Sequence, residues 1–287
     1  MRYWAKLRCA LRVMVALVAA VVMPLTLASC SSADIADVVD QIDAATQSDA
    51  GSGTDAEATG DAASAPSASE GDMTVWSLAA YPDYVAVSGK ANFDGVTIPA
   101  AGEIVYAQPD QLGRSGQAVG VITKALRDQG SARERDMPDT ITGWPSHNPK
   151  VSINLTDQAT CGLPKSERPK NTCYSGYLFN KSHLIAKSLG GEDIAENMVT
   201  GTRTQNVGRN QPAGGMAYTE TEARDWLDKN PSGTVTYVAT PVYQGDELLP
   251  RVVTVDIRTS DGSIDQHVIV FNTANGFDID YANGGVK

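Results

Sequence analysis

The sequence predicts an α+β domain, in which helices and an antiparallel sheet occupy separate stretches of the chain. Segments rich in β-branched residues predict strands over residues 234–243, 251–259 and 264–271. Apolar residues at helical spacing predict helices over residues 117–129 and 218–229. The two kinds of element do not alternate in the pattern of a parallel sheet, which favours the α+β class.

Residues that stop or turn the chain support these elements. Gly130 follows the first predicted helix, and Asn230-Pro231 follows the second, where proline cannot continue a helix. Residues 88–99 are predicted to form a strand and a turn. The folded domain is therefore predicted to span residues 73–287, with its first large apolar side chains at Val75 and Trp76.

The first thirty residues have the composition of an export signal. Four basic residues and no acidic one precede an apolar run over residues 13–27, which is short for a membrane-spanning helix. The run ends in Leu27-Ala28-Ser29-Cys30, which resembles the lipobox of bacterial lipoproteins. By that resemblance residues 1–29 are a signal peptide and Cys30 carries the lipid anchor, whose two acyl chains hold a protein on a membrane. The alternative is an ordinary signal peptide cut near Ala28.

Residues 30–72 are predicted to be a disordered linker after the anchor. The stretch is dominated by Ala, Ser, Asp, Gly and Thr and carries ten acidic residues and no Lys or Arg. Such a composition buries too little apolar surface to offset the entropy of ordering the chain. The linker resembles the tethers that hold an exported domain away from a membrane.

The charge balance narrows the classes of function. The whole chain has a net charge of −11, and removing the signal and the acidic linker leaves −5 for residues 73–287. This balance argues against a module that only binds nucleic acid, because such modules are usually basic. An enzyme that releases its product and bridges phosphates through a metal tolerates a negative charge better.

The cysteines agree with export. Cys9 lies in the signal and Cys30 at its end, so Cys161 and Cys173 remain for the folded domain. In an oxidising compartment such a pair favours a disulfide, which stabilises by roughly 3 kcal/mol when it closes a loop of this length. A metal pair is the alternative, but no further Cys or His lies at ligand spacing.

The stretch between Cys173 and Arg224 concentrates polar residues with chemical potential. A strand is predicted over residues 174–179, followed by Asn180-Lys181-Ser182-His183. A second strand is predicted over residues 197–200, and Thr202 is placed to cap a helix over residues 203–210. The order of elements is therefore strand, turn, strand, loop, helix.

This order and these residues resemble the ββα-metal DNA/RNA non-specific endonucleases, most closely the secreted and competence-associated nucleases of Gram-positive bacteria. The family motif Asp-Arg-Gly-His corresponds to Asn180-Lys181-Ser182-His183 here. The resemblance implies a ββα-metal core packed on an antiparallel sheet. It also implies that His183 is the general base, Asn206 the direct Mg²⁺ ligand, Glu220 a contact to the water shell of the metal, and Arg224 a neutraliser of the phosphate.

The same residues suit phosphodiester hydrolysis on chemical grounds. The reaction needs an attacking water, a group that takes its proton, and positive charge at the phosphate. A neutral imidazole, with a pKa near ~6.5, takes such a proton. Mg²⁺, with Mn²⁺ as the alternative, suits a site with few protein ligands because Mg²⁺ keeps several waters. Glu220 and Arg224 are four residues apart and share a helix face.

Three residues of the motif depart from the family pattern. Lys181 keeps the positive charge but lacks the planar fork of arginine, and both a phosphate-binding and a solvated position stay open for it. Asn180 leaves any role of a carboxylate vacant, and Ser182 narrows the backbone conformations that glycine allows. Since the base and the metal ligand are retained, we expect activity at an altered rate. Asn197 is predicted to fix the loop after Gly191.

The sequence therefore predicts a nuclease anchored by lipid at the extracellular face of a bacterial cell membrane, with a freely secreted form as the alternative. Its substrates are predicted to be DNA and also RNA, with little sequence preference, and no protein partner is inferred. The first rival is a surface lipoprotein with weak or no catalysis that binds DNA for uptake or adhesion. The second is a secreted toxin, which a companion immunity protein would favour.

Overall fold

The computed structural model describes residues 75–209 and 213–287. The predicted signal peptide, the anchor Cys30 and the predicted linker lie outside these residues. In the described part of the chain, no helix is both long enough and apolar enough to span a membrane.

Ten strands form three antiparallel sheets within the described residues. In chain order they are β1 (Val85–Gly89), β2 (Ile104–Tyr106), β3 (Ala118–Thr123), β4 (Lys150–Asn154), β5 (Cys173–Tyr177), β6 (Phe179–His183), β7 (Met198–Thr202), β8 (Thr234–Val242), β9 (Val252–Thr259) and β10 (Asp265–Phe271). Six of them make the main sheet, in the order β1-β10-β9-β8-β3-β2, while β4 pairs with β5 and β6 with β7. The strands predicted over residues 234–243, 251–259 and 264–271 are confirmed as β8, β9 and β10, and the α+β class is confirmed with them.

Three α-helices accompany the sheets in the described residues: α1 (Lys124–Ala132), α2 (Arg203–Val207) and α3 (Met216–Lys229). α3 contacts β8 and β9 and buries Ala223 and Leu227 in the same apolar cluster as Val235 and Val255 of the main sheet. Burial of each such leucine or valine contributes about 1.5–3 kcal/mol. The helix predicted over residues 218–229 is confirmed, and it ends before Asn230 as expected.

The helix predicted over residues 117–129 is wrong in its first half. Residues Ala118–Thr123 form β3, which pairs with β8, and the helix begins only at Lys124. β3 is rich in β-branched residues and buried on both faces, so its apolar positions fit a strand as well as a helix. The side-chain oxygen of Thr123 accepts a hydrogen bond from the backbone N–H of Leu126 at 3.1 Å, which caps the helix at the switch.

Gly130, predicted to end this helix, lies inside α1. A Cβ atom at Gly130 would lie 2.2 Å from the carbonyl oxygen of Lys187 and 2.6 Å from the Cα of Gly190. α1 therefore approaches the turn at residues 187–190 backbone to backbone, and only glycine permits that distance. Since this turn follows β6, the glycine fixes how α1 packs on the segment that leaves the strand.

A smaller unit is built from the β4–β5 hairpin. The disulfide between Cys161 and Cys173 is confirmed, with the two Cα atoms 5.1 Å apart. Beneath the hairpin lies a second apolar cluster, which includes Ile153 and the fully buried Leu178 and Phe179. The disulfide thus closes residues 161–173 into a loop at one end of the hairpin, and β5 passes through Leu178 directly into β6.

The close approach at Gly130 generates a stability prediction. Gly130→Ala should lower the free energy of unfolding by about 1–3 kcal/mol, because the added methyl group collides with backbone atoms that cannot rotate away. This loss should outweigh the better helix propensity of alanine, about 1 kcal/mol. The measurement is urea unfolding followed by circular dichroism.

Gly89→Ala is the matched control, because a Cβ atom at Gly89 meets nothing within 4 Å. Its free energy of unfolding should stay within about 0.5 kcal/mol of the parent value. A Gly130→Ala protein as stable as the Gly89→Ala protein would contradict the described packing of α1.

Candidate active site

The β6–β7 pair and α2 form the ββα unit that the motif predicts. In the antiparallel register of the pair, Asn180 lies opposite Gly201 and Ser182 opposite Val199. Thr202 ends β7 and caps α2, since its side-chain oxygen accepts a hydrogen bond from the backbone N–H of Gln205 at 3.0 Å. The helix predicted over residues 203–210 is confirmed in place but is shorter, ending at Val207.

Thr202 also ties this unit to the main sheet. Its backbone N–H donates to the side-chain oxygen of Asn272 at 2.8 Å, and its hydroxyl donates to the carbonyl of Thr273 at 2.8 Å. The amide group of Asn272 donates in turn to the carbonyls of Thr200 and Pro250. Asn272 and Thr273 directly follow β10, so the end of the main sheet fixes the strand-to-helix switch.

The immediate turn into α2 brings Asn206 back over β6. The hydroxyl of Ser182 donates to the side-chain oxygen of Asn206 at 3.2 Å. The close packing depends on Gly201, where a Cβ atom would lie 2.1 Å from the side-chain oxygen of Gln205. The predicted metal ligand Asn206 and the predicted base His183 are therefore joined through Ser182, the residue preceding His183.

His183 ends β6 and is held by a carboxylate that the sequence did not single out. The Nε2 atom of His183 lies 2.7 Å from the Oδ1 atom of Asp193, and the side chains of the two residues are 11% and 4% exposed. Burial lowers the pKa of His183, an effect that the bond to Asp193 only partly offsets. Burial by itself would raise the pKa of Asp193, but bonds from His183 and the Asp136 backbone outweigh it and lower the pKa to about 2.

These pKa directions fix the protonation of the pair at neutral pH. Asp193 is ionised and only accepts hydrogen bonds, whereas His183 is neutral. The single ring proton of His183 therefore lies on Nε2 and points at the carboxylate, so Nδ1 carries the free lone pair. A neutral histidine oriented by a buried carboxylate can take up a proton at Nδ1, and the carboxylate stabilises the cation that results.

Asn197 lies where the sequence predicts, in the loop between β6 and β7. It is fully buried, and its side-chain oxygen accepts a hydrogen bond from the backbone N–H of Ile185 at 2.9 Å. Its amide group donates to the carbonyls of Ile185 and Glu192. Asn197 thus holds the segment after His183 against the segment before Asp193, which positions both members of the pair.

Lys181 and Asn180 are buried in β6. The ammonium group of Lys181 donates to the carbonyls of Pro138 and Asp139 at 2.7 and 2.9 Å and lies 5.1 Å from the ring centroid of Trp144. The structure therefore shows neither of the two positions that the sequence left open for Lys181, because its ammonium group is buried against loop carbonyls and is not presented to solvent or to a phosphate. The lysine ties the loop at residues 138–144 to the strand, and burial lowers its pKa.

Glu220 and Arg224 share α3, as the sequence predicts. Burial raises the pKa of Glu220 to about 7, and the positive charge of Arg224 opposes the rise. Arg224 donates to the hydroxyl of Thr221 at 3.1 Å. α3 contacts both α2 and the turn at Lys187–Leu189, so the helix that carries this pair packs against the elements that carry Asn206 and follow His183.

Three cations that the sequence analysis missed surround the His183–Asp193 pair. The positive charges of Arg135 and Arg133 lower the pKa of His183. The pKa of Lys187 is lowered first by its own burial and then by Arg135, while Asp193 raises it. Arg133 also donates a hydrogen bond to the carbonyl of Gly191. A site lined in this way attracts an anion, such as a phosphate, to the vicinity of His183.

Two of the missed cations lie far from the motif in sequence. Arg133 and Arg135 precede His183 by about fifty residues in a stretch that also contains Glu134 and Asp136, so no local charge run marks them. Asp193 lies in the loop after Gly191, where the sequence analysis singles out only Asn197. The one available signal is chemical, because a catalytic histidine usually has a carboxylate or a carbonyl as the partner of its second nitrogen.

Comparison with known proteins places this geometry in a family. The family model described as DNA/RNA non-specific endonuclease matches residues 157–283, which include β5 to β10 and all the motif residues. A deoxyribonuclease of Streptococcus dysgalactiae subsp. equisimilis is 35% identical over 241 residues, covering 72% of this chain and 73% of the relative.

Solved structures agree. The structure of Sda1 nuclease with a bound zinc ion is 37% identical, with a TM-score of 0.66, and the match covers 74% of this chain and 99% of that protein. NucA from Streptococcus agalactiae with a magnesium ion bound shares the fold at 20% identity and a TM-score of 0.51, over 69% of this chain and 84% of NucA. The chain therefore belongs to the DNA/RNA non-specific endonuclease family and is a nuclease, an enzyme that hydrolyses phosphodiester bonds.

Proposed function

We propose that this nuclease is a lipid-anchored enzyme on the extracellular face of a bacterial cell membrane. It cuts DNA and also RNA with little sequence preference, using His183 as the general base. The observation that carries the catalytic proposal is the buried Nε2–carboxylate bond between His183 and Asp193, next to the Ser182–Asn206 hydrogen bond. Together these bonds present a basic nitrogen and an amide oxygen on neighbouring elements.

A divalent cation is the proposed cofactor, and the donor set fits Mg²⁺, with Mn²⁺ as the alternative. Within residues 75–209 and 213–287, no group of three or more His, Cys, Asp or Glu side chains can hold a metal ion. Asn206 offers a partly exposed amide oxygen that accepts one bond, from Ser182, and has a second lone pair. A single hard oxygen ligand suits Mg²⁺, because the remaining ligands are waters and substrate oxygens. The zinc ion in Sda1 nuclease supports a divalent cation in general.

The metal, when bound, supplies positive charge to the phosphate and the leaving oxygen. Nδ1 of His183 takes a proton from a water, whose oxygen forms a bond to phosphorus. The bond from phosphorus to the leaving sugar oxygen breaks, and that oxygen takes a proton from solvent. Asp193 stabilises the imidazolium that forms. The charge of the phosphate is countered by Arg133, Arg135, Lys187 and Arg224. Glu220 would contact the water shell of a bound metal.

The departures from the family motif are compatible with catalysis in this proposal. Lys181 acts as a positioning residue, because its ammonium group is occupied by two carbonyls of the loop at residues 138–144. Asn180 supports β6 from a fully buried position. Neither residue replaces a group that transfers the proton in the proposed mechanism. The altered motif was the main support for the alternative hypothesis of a DNA-binding lipoprotein without catalysis, and this support is therefore weakened.

Mutation of the proposed base should abolish cleavage. His183→Ala should lower the rate of plasmid and RNA digestion in Mg²⁺ by about 10²–10⁴-fold, the contribution of a positioned general base. EDTA should stop cleavage by the parent protein. The measurement is the initial rate of digestion, resolved on gels.

His147→Ala is the matched control, because His147 is exposed in the loop before β4. It should digest both substrates at the parent rate. A His183→Ala protein that keeps more than about a tenth of the parent rate would refute the assignment of the base.

The effect of Asp193 on the pKa of His183 should be measurable in a pH titration. Asp193→Asn should lower the pKa of His183 further, since the carboxylate raises that pKa in the parent. The base must be neutral, so activity is lost as pH falls through the His183 pKa, and in the variant this acidic limb should move to lower pH. The measurements are an NMR titration of the imidazole ring and the pH dependence of kcat. A limb that moves to higher pH would contradict the role of Asp193.

The anchor can be tested independently of the chemistry. Cys30→Ala should abolish incorporation of a labelled fatty acid and leave activity unattached to cell membranes, because the acylated thiol is missing. Cys9→Ala, a change at the cysteine inside the predicted signal, should be labelled like the parent. Absence of the label from the parent and from both variants would favour the freely secreted alternative.

A further inference from the structure

The outer face of the β4–β5 hairpin is an aromatic and cationic surface beside the catalytic strand. In the hairpin register Lys150 lies opposite Tyr177, and Ser152 opposite Ser175. The ammonium group of Lys150 lies 4.9 Å from the ring centroid of Tyr177. The two serines are exposed and hydrogen bond to each other at 3.2 Å. Small side chains thus leave the Tyr177 ring accessible next to a fixed positive charge.

The hairpin surface forms an open hollow of about 540 Å³, lined by both strands from Lys150 to Tyr177. Gly176 is among the lining residues, and a Cβ atom there would lie 2.2 Å from the hydroxyl of Tyr174. That hydroxyl donates to the carbonyl of Tyr177 at 2.8 Å. The backbone beneath the Tyr177 ring is therefore held in place, while the face above it is open.

This surface lies close to the proposed base along the chain. Tyr177 is separated from β6 by one residue, and His183 follows it by six residues, at most about 20 Å along an extended chain. On the inner side of the hairpin, the guanidinium group of Arg203, the first residue of α2, lies 4.8 Å from the ring centroid of Tyr174. A substrate strand bound at His183 can therefore reach the hairpin within the several nucleotides that such grooves cover.

The segment around the hairpin carries a net positive charge, which favours binding of a polyanion. Residues 150–187 contain six Lys or Arg and two acidic residues, in a domain whose net charge is negative. The disulfide-closed loop contributes the exposed Lys165 and Lys170. Its third cation, Arg168, donates to the carbonyls of Cys161 and Leu163 and so orders the loop. Of the six cations, Lys150, Lys165 and Lys170 belong to the hairpin and its loop and are exposed.

We propose that the outer face of the β4–β5 hairpin is a binding site for the unpaired stretch of a nucleic acid that flanks the bond being cut. One base stacks on Tyr177, and Lys150, Lys165 and Lys170 contact the phosphates. Aromatic rings bind unpaired bases of any sequence through their π faces, whereas bases inside a duplex are not exposed for stacking. This proposal rests on the proposed nuclease function and extends it to a preference for single strands.

Binding can be measured apart from catalysis in the His183→Ala background. The readout is the fluorescence anisotropy of a labelled single-stranded DNA 20-mer at several salt concentrations. Tyr177→Ser should weaken affinity about 5- to 150-fold, the range for one stacked base, and Tyr177→Phe should restore it. Lys150→Ala should reduce the slope of log affinity against log salt by ~0.7, the loss of one phosphate contact on a single strand.

Two controls isolate the hairpin. Lys90→Ala removes one charge from a largely exposed lysine next to β1 and should leave both affinity and salt slope unchanged. With His183 intact, all four variants should hydrolyse a small chromogenic phosphodiester, which is too short to reach the hairpin, at the parent rate. Thermal melting confirms that each variant is folded.

Three results would overturn the proposal. Tyr177→Ser could bind the 20-mer as tightly as the parent, or lose as much affinity for a blunt duplex as for the single strand. Alternatively, the small diester could be cut more slowly in step with the loss of binding, which would place the effect in the active site. Failure of the nuclease function itself would look different, since the parent protein would then cut neither the diester nor the polymer.

Discussion

The hydrogen bonds of Thr202 are the constraint on which the site depends. They end β7 and start α2 at the same residue, which turns Asn206 back over β6. They also join this turn to Asn272 at the end of the main sheet. The ββα unit is too small to bury much apolar surface of its own, so the sheet supplies its rigidity. This support from the main sheet holds the proposed base and the proposed metal ligand in fixed positions.

The sequence predicted the parts of the site that lie close together in the chain. The Thr202 cap follows from local order and is reproduced by the structure. The selection of His183 and Asn206 follows from the resemblance to the nuclease family. Asp193, Arg133 and Arg135 belong to loops whose course depends on long-range packing, including the contact of Gly130 with Lys187. For the same reason residues 118–123 were misassigned, because their strand character depends on pairing with β8.

The net negative charge of the protein and its local clusters of positive charge have different effects on nucleic acid. The negative charge of residues 73–287 and the ten acidic residues of the preceding stretch repel free polyanions, which favours release of cleaved product. Positive charge is kept where a phosphate must be held, around His183 and along residues 150–187. Lys181, the one lysine of the motif, is buried against carbonyls of the loop at residues 138–144 and so supports the strand instead of the phosphate. The position of a basic residue in the fold therefore decides whether it binds phosphate or stabilises the structure. The number of basic residues does not decide this.

The disulfide between Cys161 and Cys173 has a consequence for survival outside a cell. Residues 162–172 contain exposed lysines, which are cleavage sites for trypsin-like proteases. A nick there would leave both new chain ends covalently joined through the bridge. β4 and β5 would stay attached, and the strand that leads to His183 would keep its anchorage. A cut in this exposed loop would therefore not by itself separate the two strands of the hairpin.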